Sequence, residues 1–451
     1  MLYVLPLFGL LSFTTWYLDI KELYNIIIYS LILIIMALFK VKSTTLIMFT
    51  LFTVLANRTP TFIEGIDKLY LKLFDTNISA LRRYYTFLYT FVFVVLIIIL
   101  LIRLIKRRKY QKSKLFLLMA ILLSYSLITL FWAPNLTTGL SEFWFIIQGY
   151  FIYYVIKNEN SKENIFYEVS WFLSILLLVL SFQYFTSYNN YIISKDLDLN
   201  FFSYYKIEGK RAINLWANPN IVGGVFGISY IPSLYKYFDT KRSNKRFLFL
   251  PFELLIIYTI ILTKSTGLHY AFLVGAFFIP FLFIKNKKVL YGFISVAILI
   301  FITFLVMIIR LEETFPDLYN KLNDYTTSRI DIYKDAVNLL KSPKTFIFGK
   351  GLGADRILLN VSFFHSWVFQ VLVNRGIIGL IIVFIMLYYI VEMLFESKGK
   401  FRYLLALGII IYLAHGITDS GFEYQYIGVL YYFQVALLEN SIGEKDLFII
   451  E

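Results

Sequence analysis

Long apolar runs recur along the whole chain and constrain its fold more than any other feature. A helix crosses the hydrocarbon core of a bilayer with about 17–25 residues, and runs near this length follow one another almost to the C-terminus. Backbone polar groups must be paired inside lipid, and the runs are continuous, so helices are favoured over barrel strands. The candidate spans are 1–18, 23–39, 44–57, 86–104, 115–132, 139–156, 165–187, 218–236, 248–263, 267–284, 289–309, 376–395, 403–417 and 424–438.

The composition agrees with a chain that lies mostly in lipid. Of the 451 residues, 59% are hydrophobic and only 16% are charged, which is more apolar than a soluble domain of this size requires. The sequence therefore predicts an all-α polytopic membrane helix bundle with about 12–14 transmembrane helices. Residues 1–18 lack a basic first region and a small-residue cleavage site, so we interpret them as a retained helix and not a signal peptide. The absence of cysteine excludes disulfides, thiolate metal sites and thiol nucleophiles.

The formal charge of +14 is distributed by membrane side, so it predicts orientation and no nucleic-acid partner. Four connections are rich in Lys and Arg: RLIKRRKYQKSK, KYFDTKRSNKRF, IKNKK and ESKGKFR. Counting spans between them puts all four on one side, which the positive-inside rule makes cytoplasmic, together with both termini. Residues 58–85 then face outward, and their periodicity favours a helix lying on the outer surface.

This topology leaves two long loops outside the cytoplasm. They divide the chain into N-terminal helices 1–187, a first external loop 188–217, central helices 218–309, a large external loop 310–375 and C-terminal helices 376–451. Loops of this length are uncommon in compact proteins and are often functional.

The large external loop is predicted to be partly helical. In TSRIDIYKDAVNLLKS, one helical face carries Ile330, Tyr333, Val337 and Leu340. Pro343 and the GKGLG run end this helix, and GKGLG is interpreted as a turn because it lacks the Lys-Ser/Thr of a phosphate loop.

Ionisable residues near the membrane are concentrated at the outer helix ends and loops, and we expect the charges to stay at this rim. They are Glu142, Arg211, Lys264, His269, Arg329, Arg356, His365, Arg375, His415, Asp419 and Glu423. Such residues are costly at membrane depth and often functional. The alternative is that helix ends simply meet water there, with Lys264 and Arg375 extending to it. Convergence from several segments favours a site.

His365 is one of three histidines, and it precedes a predicted short helix, SWVFQVLV, before Gly376 opens the next span. A helix N-terminus disfavours the imidazolium, so the ring can stay neutral and accept a proton. This position suits a general base for a hydroxyl. The alternative is a histidine that only satisfies a loop carbonyl.

Three stretches carry a resemblance to a known family. RAINLWANPNIVGGVFG contains Arg211 and Asn220, SRIDIYKDAVNLLKSPKTFIFGKGLG contains Arg329, and FFHSWVFQVLVNRGIIG contains His365 and Arg375. Together with AHGITDSGF, which contains His415, they resemble the bacterial O-antigen ligase and O-antigen polymerase superfamily from residue 211 to about residue 421.

The resemblance implies glycan transfer from a polyprenyl-diphosphate carrier to an acceptor hydroxyl outside the cytoplasm. His365, Arg329 and Arg211 are then expected to be catalytic, His365 as the base and the arginines at the leaving diphosphate. The expected substrate-binding residues are Lys264, Asn220, Arg356, Arg375 and His415. In TKSTGLHY, Thr266 stands where the family often has arginine, and Lys264 is the neighbouring cation.

The resemblance implies no cofactor, and we expect no metal ion. The pair Asp196 and Asp198 could suggest a metal site for a nucleotide-sugar, but such sugars are cytosolic, so we interpret the pair as part of a solvated external loop. Expected partners are the polyprenyl-diphosphate-linked oligosaccharide, membrane lipid, and flippase and chain-length regulator proteins.

The leading hypothesis is a polymerase that builds a surface polysaccharide (O-antigen, capsule or exopolysaccharide) at the bacterial inner membrane. One alternative is a ligase that moves finished glycan to another acceptor. Another, from a different class, is a flippase, although transporters usually place charges near the membrane midplane.

Overall fold

The computed structural model describes residues 22–56, 78–105, 113–158, 164–196, 219–238, 244–279, 329–354, 365–396, 400–418 and 425–442, with isolated residues 7, 10, 11, 292, 316, 317 and 320. Within these residues the regular secondary structure is helical, which confirms the all-α prediction. The α-helices are α1 Glu22–Leu38, α2 Ser43–Ala56, α3 Ile78–Ile105, α4 Lys114–Thr129, α5 Leu136–Asn158, α6 Asn164–Asp196, α7 Pro219–Ser233, α8 Tyr235–Phe238, α9 Leu250–Leu262, α10 Thr266–Phe278, α11 Arg329–Leu339, α12 Pro343–Phe348, α13 Trp367–Glu396, α14 Lys400–Ile417 and α15 Gln425–Ile442.

Several of these helices are long and apolar enough to cross a membrane. Among the described residues, three meet both criteria at full length: Lys114–Trp132, Ile165–Gln183 and Trp367–Met393. Shorter apolar helices accompany them at Tyr24–Leu38, Ser43–Ala56, Phe91–Ile105, Thr266–Phe278 and Phe401–Ile417. The predicted membrane helix bundle is therefore confirmed.

Two predicted spans lie largely outside the described residues, and one helix begins earlier than predicted. The predicted spans 1–18 and 289–309 lie outside the described residues except for isolated positions. Helix α3 begins at Ile78, inside the segment predicted to lie on the outer surface, so residues 78–85 continue the span that follows them.

Small residues let the central helices approach closely, as is common where helices pack within lipid. A methyl group at Gly149 of α5 would overlap the Tyr432 ring of α15. A methyl group at Gly408 of α14 would lie 2.7 Å from Cγ of Pro232 in α7. Gln434 Nε2 of α15 also donates to the Ile228 carbonyl of α7 at 3.1 Å, so α5, α7, α14 and α15 pack together.

One end of the bundle carries the described ends of the basic connections. Arg103 Nη1 donates to the Val41 carbonyl at 2.6 Å, and the Ser113 and Tyr153 hydroxyls are 2.8 Å apart. The Phe401 ring stacks on Phe166 with centroids 4.5 Å apart. We call this end the basic face. Phe401 also contacts the Tyr235 ring, next to the second basic connection, with centroids 5.0 Å apart. The described ends of three of the four Lys- and Arg-rich connections therefore lie at this end, as the predicted orientation requires.

A buried ion pair lies toward the basic face, contrary to the expectation that charges stay at the outer rim. Lys236 is 0% exposed, and its Nζ lies 2.6 Å from Glu253 Oε1 and 2.5 Å from Ser174 Oγ. Its ammonium also lies 4.5 Å from the Tyr237 ring centroid and 4.9 Å from that of Phe249. Buried charges persist only when they are paired and hydrogen-bonded. Lys236 and Glu253 provide each other with an opposite charge and a hydrogen bond. The pair links α8 to α9 and α6.

Candidate active site

The opposite end of the bundle gathers most of the predicted site residues that the structure describes. It includes the turn between α4 and α5, the turn 263–265, the segment 365–366 and Thr418. We call this end the site face.

At the site face, the beginning of α7, the turn before α10 and the end of α14 are in contact. A methyl group at Gly223 would lie 3.4 Å from Cβ of Ser265. One at Gly224 would lie 3.7 Å from Nδ1 of His415, and one at Gly267 would lie 3.6 Å from Cδ2 of the same ring. His415, which is 2% exposed, therefore lies between two glycines of different helices. Three separate parts of the sequence, carrying Asn220, Lys264 and His415, are brought together here.

In the turn before α10, exposed and buried polar side chains alternate. Ser265 is fully buried and caps the helix, with its hydroxyl accepting from the Leu268 N–H. The residues on either side of it, Lys264 and Thr266, are both exposed. Lys264 has φ of +46°, a left-handed conformation that non-glycine residues adopt at a cost. The two exposed positions therefore offer alternative places for a cation.

His365 is held in a similar way between two helices. Its φ is +48°, and its carbonyl accepts a hydrogen bond from the Tyr333 hydroxyl at 3.1 Å. Two residues later, Trp367 Nε1 donates to the Leu413 carbonyl of α14 at 3.1 Å. The half-exposed histidine is thus fastened to α11 on one side and to α14 on the other.

The predicted helix of the large loop is present as α11 and packs on the first part of α13. Its buried residues and the surfaces they meet form an apolar cluster separate from the main core: Ile330, Ile332, Tyr333, Ala336, Ala354, Phe369 and Val373. Val337 and Leu340, predicted on the buried face, pack at the edge of this cluster. Arg329 opens the helix and is half-buried. It lies four residues before Tyr333 and so on the same helical face.

Helix α13 is kinked at Gly376, which divides the predicted interfacial helix from the predicted span. Gly376 has φ of 65° and ψ of −168° inside an otherwise helical segment. A methyl group there would overlap the Ile347 carbonyl oxygen and lie 2.6 Å from the Gly349 nitrogen. Only glycine fits this close backbone approach and left-handed conformation.

Residues 349–353, GKGLG, hold this kink in place, and we call them the glycine clasp. The Lys350 N–H donates to the Val373 carbonyl at 2.7 Å, and the Gly351 N–H donates to the Asn374 carbonyl at 3.1 Å. On the other side, a methyl group at Gly351 would lie 2.5 Å from Cα of Ala133 in the α4–α5 turn. The clasp is a turn, as the sequence predicts, and it fills the space between the kink and this neighbouring turn.

A buried polar set lies beneath the kink. Arg375 is 1% exposed, and its Nε donates to the Ser126 hydroxyl of α4 at 2.8 Å. Asn374 Nδ2 lies 3.4 Å from Glu142 Oε2 of α5. Arg375 therefore does not extend to water in this structure. These contacts join the kink to α4 and α5, and substrate binding by Arg375 remains a prediction.

The described site residues thus fall into two groups joined through α14. One contains Asn220, Lys264 and His415, and the other contains Arg329 and His365. Arg211, Arg356, Asp198, Asp419 and Glu423 lie outside the described residues.

Sequence reasoning missed the Tyr333 hydroxyl and the Trp367 indole, which position these groups, and the Ser126 hydroxyl, which accepts from Arg375. Tyr333 was assigned only to an apolar face, although tyrosines on such faces commonly find a partner for the hydroxyl when buried. That general tendency was the signal available in the sequence.

Comparison with known families gives one match. Residues 252–384 match the family model described as O-antigen ligase. The matched region runs from α9 into α13 and includes Lys264, Arg329, Arg356, His365 and Arg375. It leaves out the resembling stretches that carry Arg211, Asn220 and His415. The chain matches no curated protein and no solved structure.

An O-antigen ligase domain within a bundle of apolar helices indicates a membrane enzyme of glycosyltransferase type whose substrate is a lipid-linked oligosaccharide. The matched range contains two of the stretches that carry the resemblance, SRIDIYKDAVNLLKSPKTFIFGKGLG and FFHSWVFQVLVNRGIIG. Residues 252–384 are thus similar to the O-antigen ligase family, and this match supports the resemblance to the O-antigen ligase and O-antigen polymerase superfamily.

Proposed function

We propose that this protein joins polyprenyl-diphosphate-linked oligosaccharide repeat units into a surface polysaccharide at the site face. The observation that carries the proposal is the bond between Trp367 and the Leu413 carbonyl. It attaches the segment of His365 to α14, two residues from His415, whose ring borders Gly267, three residues after Lys264. A base and a cation from distant parts of the sequence thus belong to one connected set of contacts.

The reaction needs only groups of the kinds present here. The acceptor hydroxyl oxygen attacks the anomeric carbon of the donor sugar, and its proton passes to the His365 ring. The bond from that carbon to the diphosphate oxygen breaks, and the electron pair leaves with the diphosphate. One displacement inverts the configuration at the anomeric carbon. The diphosphate leaves without protonation, so no carboxylic acid is needed to protonate the leaving group.

Cationic side chains stabilise the charge that develops on the diphosphate. Arginine does so with two parallel hydrogen bonds and lysine as a point charge. We assign this role to Arg211, Arg329 and Lys264. Arg356 and Asn220 are proposed to contact the sugars or the diphosphate as substrate-binding residues.

We place the protein in the bacterial inner membrane, with the site face outside the cytoplasm. Support comes from the basic face, where Arg103, Lys236 and Arg402 lie at the described ends of the basic connections. The positive-inside rule makes that face cytoplasmic. Lipid-linked repeat units would then be supplied by a flippase, and a chain-length regulator would act on the product.

The second candidate is a ligase that moves a finished glycan to another acceptor. The matched family model is described as O-antigen ligase, and the match fits either reaction. Both reactions use the same base and the same leaving group, and they differ in the acceptor. The acceptor supplied to the enzyme therefore distinguishes them.

The experiment that tests the function uses the purified protein in liposomes of neutral phospholipid. Lipid-linked repeat units extracted from the native strain are added without nucleotide. Elongated lipid-linked product supports the polymerase. Transfer only after a second glycan acceptor is added supports the ligase. Movement of the lipid-linked unit across the bilayer without any transfer would contradict both and favour a flippase.

A further inference from the structure

The Tyr333 hydroxyl meets the backbone of His365, the residue on which the proposed chemistry depends. Tyr333 Oη donates to the His365 carbonyl oxygen at 3.1 Å across 32 positions of sequence. His365 has φ of +48°. A non-glycine residue holds such a conformation only when its surroundings enforce it. The hydrogen bond from Tyr333 is one of the contacts that enforce it.

Packing against α13 holds the Tyr333 ring in place. It stacks on Phe369 of α13, with centroids 4.9 Å apart and an interplanar angle of 20°. Tyr333 is buried in the cluster that joins α11 to α13. Because ring and hydroxyl are held by different parts of one segment, Tyr333 fixes the distance between α11 and His365.

The position of Tyr333 on its helix adds a second consequence. Arg329 precedes it by four residues and lies one turn away on the same face. The contact between Tyr333 and His365 therefore also determines the position of Arg329 relative to the histidine. In the proposed reaction these are the base and a cation at the leaving group.

We propose that Tyr333 is a positioning residue that holds the His365 base in its left-handed conformation and aligns Arg329 with it. This inference rests on the proposed function of the same site. The packing of α11 on α13 then positions His365 and Arg329 relative to each other. The sequence alone indicates only that α11 is an amphipathic helix. Tyr333 acts through His365 and need not contact the substrate.

Tyr333→Phe tests this proposal because it removes the hydroxyl and keeps the stacked ring. Because one hydrogen bond is lost, kcat should fall about 3- to 10-fold in the liposome assay. The KM values for donor and acceptor should stay within about twofold, because ground-state binding is retained. Tyr237→Phe is the matched control: it removes a hydroxyl bonded to Glu253 at the basic face and should leave kcat unchanged.

A second measurement does not depend on activity. Diethyl pyrocarbonate modification followed by peptide mass spectrometry reports the reactivity of His365, with exposed His269 as the internal reference. Tyr333→Phe should raise the rate of His365 modification severalfold and leave His269 unchanged. Unchanged His365 reactivity together with unchanged kcat would overturn the positioning role. An inactive wild-type protein would instead contradict the proposed function, while the modification assay still tests Tyr333.

Discussion

Trp367 Nε1 donates a hydrogen bond to the Leu413 carbonyl at 3.1 Å, and this bond joins the His365 segment to the end of α14. The Trp367 ring is buried and also meets Phe384 edge-on, with centroids 6.2 Å apart. The bond joins the two groups of site residues. If it is lost, the segment of His365 keeps its attachment to α11 but loses its attachment to the turn of Lys264.

Trp367→Phe should therefore lower the rate of glycan transfer about 3- to 10-fold, as expected for one lost hydrogen bond. The measurement is the initial rate in liposomes at equal protein amounts. Trp171→Phe is the matched control because the Trp171 indole N–H is buried without a hydrogen-bond partner among the described residues. Equal rates for the two variants would show that the bond to Leu413 has no part in the site.

The glycine clasp should tolerate no side chain at Gly351. Alanine there would be strained at φ of +98° and would press on Ala133. The expected cost is about 1–3 kcal/mol, seen as a lower unfolding temperature in detergent. Gly292→Ala is the control, since no atom of the described residues lies within 4 Å of a methyl group there. A Gly351→Ala protein as stable as the control would contradict the close packing of the clasp.

The sequence predicted much of this architecture because apolar runs, and the glycine and proline residues that end helices, are local signals. The run from Trp367 onward, interrupted by Gly376, predicted a short helix and then a span, and α13 has this form. The helix of the large loop was predicted from Ile330 and Tyr333 on one face. Such periodicity reports which side of a helix is buried but not which partner buries it.

What the sequence did not predict depends on contacts between distant segments. The Tyr333–His365 bond joins two loop positions, and the Lys236–Glu253 pair joins two helices across a connection predicted to be cytoplasmic. Glu253 in the apolar run PFELLIIYTIIL was the only local hint of a buried partner. Pairing of this kind becomes visible only when the helices are packed.

The buried pair gives a prediction on stability. Removing one partner leaves an unpaired buried charge, so Glu253→Gln should cost about 3–5 kcal/mol. The double variant Lys236→Met with Glu253→Gln should recover part of this loss, because no charge then remains unpaired. Unfolding temperatures of the three proteins in detergent measure the effect. A double variant less stable than Glu253→Gln alone would show that the pair's contribution is not relief of a buried charge.

The turn before α10 gives a prediction on donor binding. Lys264→Gln should raise KM for the lipid-diphosphate donor and leave KM for the acceptor nearly unchanged, because only the donor carries the diphosphate. Lys264→Gln combined with Thr266→Arg should partly restore donor use, since both positions are exposed on the same turn. Steady-state kinetics with each substrate varied in turn distinguish these effects. An equal rise in both KM values would argue against a phosphate contact.

The reliance on cationic side chains also predicts that EDTA leaves the transfer rate unchanged. Within the described part of the chain, no group of three or more His, Asp or Glu side chains is placed to hold a metal ion. The measurement is the liposome rate before and after EDTA, with readdition of Mg²⁺ or Mn²⁺. Loss of activity that a divalent ion restores would contradict the proposed cationic site and direct attention to Asp196 and Asp198.

The most direct test of the proposed mechanism is the transfer rate of His365→Ala in liposomes supplied with lipid-linked repeat units. Loss of a general base is expected to lower this rate by about 10²–10⁴-fold. Arg329→Ala should lower it to a similar extent, and His269→Ala, at an exposed position on α10, should not. All four proteins must be present in the membrane at equal levels. Of the two histidine variants, only His365→Ala is expected to lose product. A near-normal rate for His365→Ala would contradict the claim that this histidine is the base.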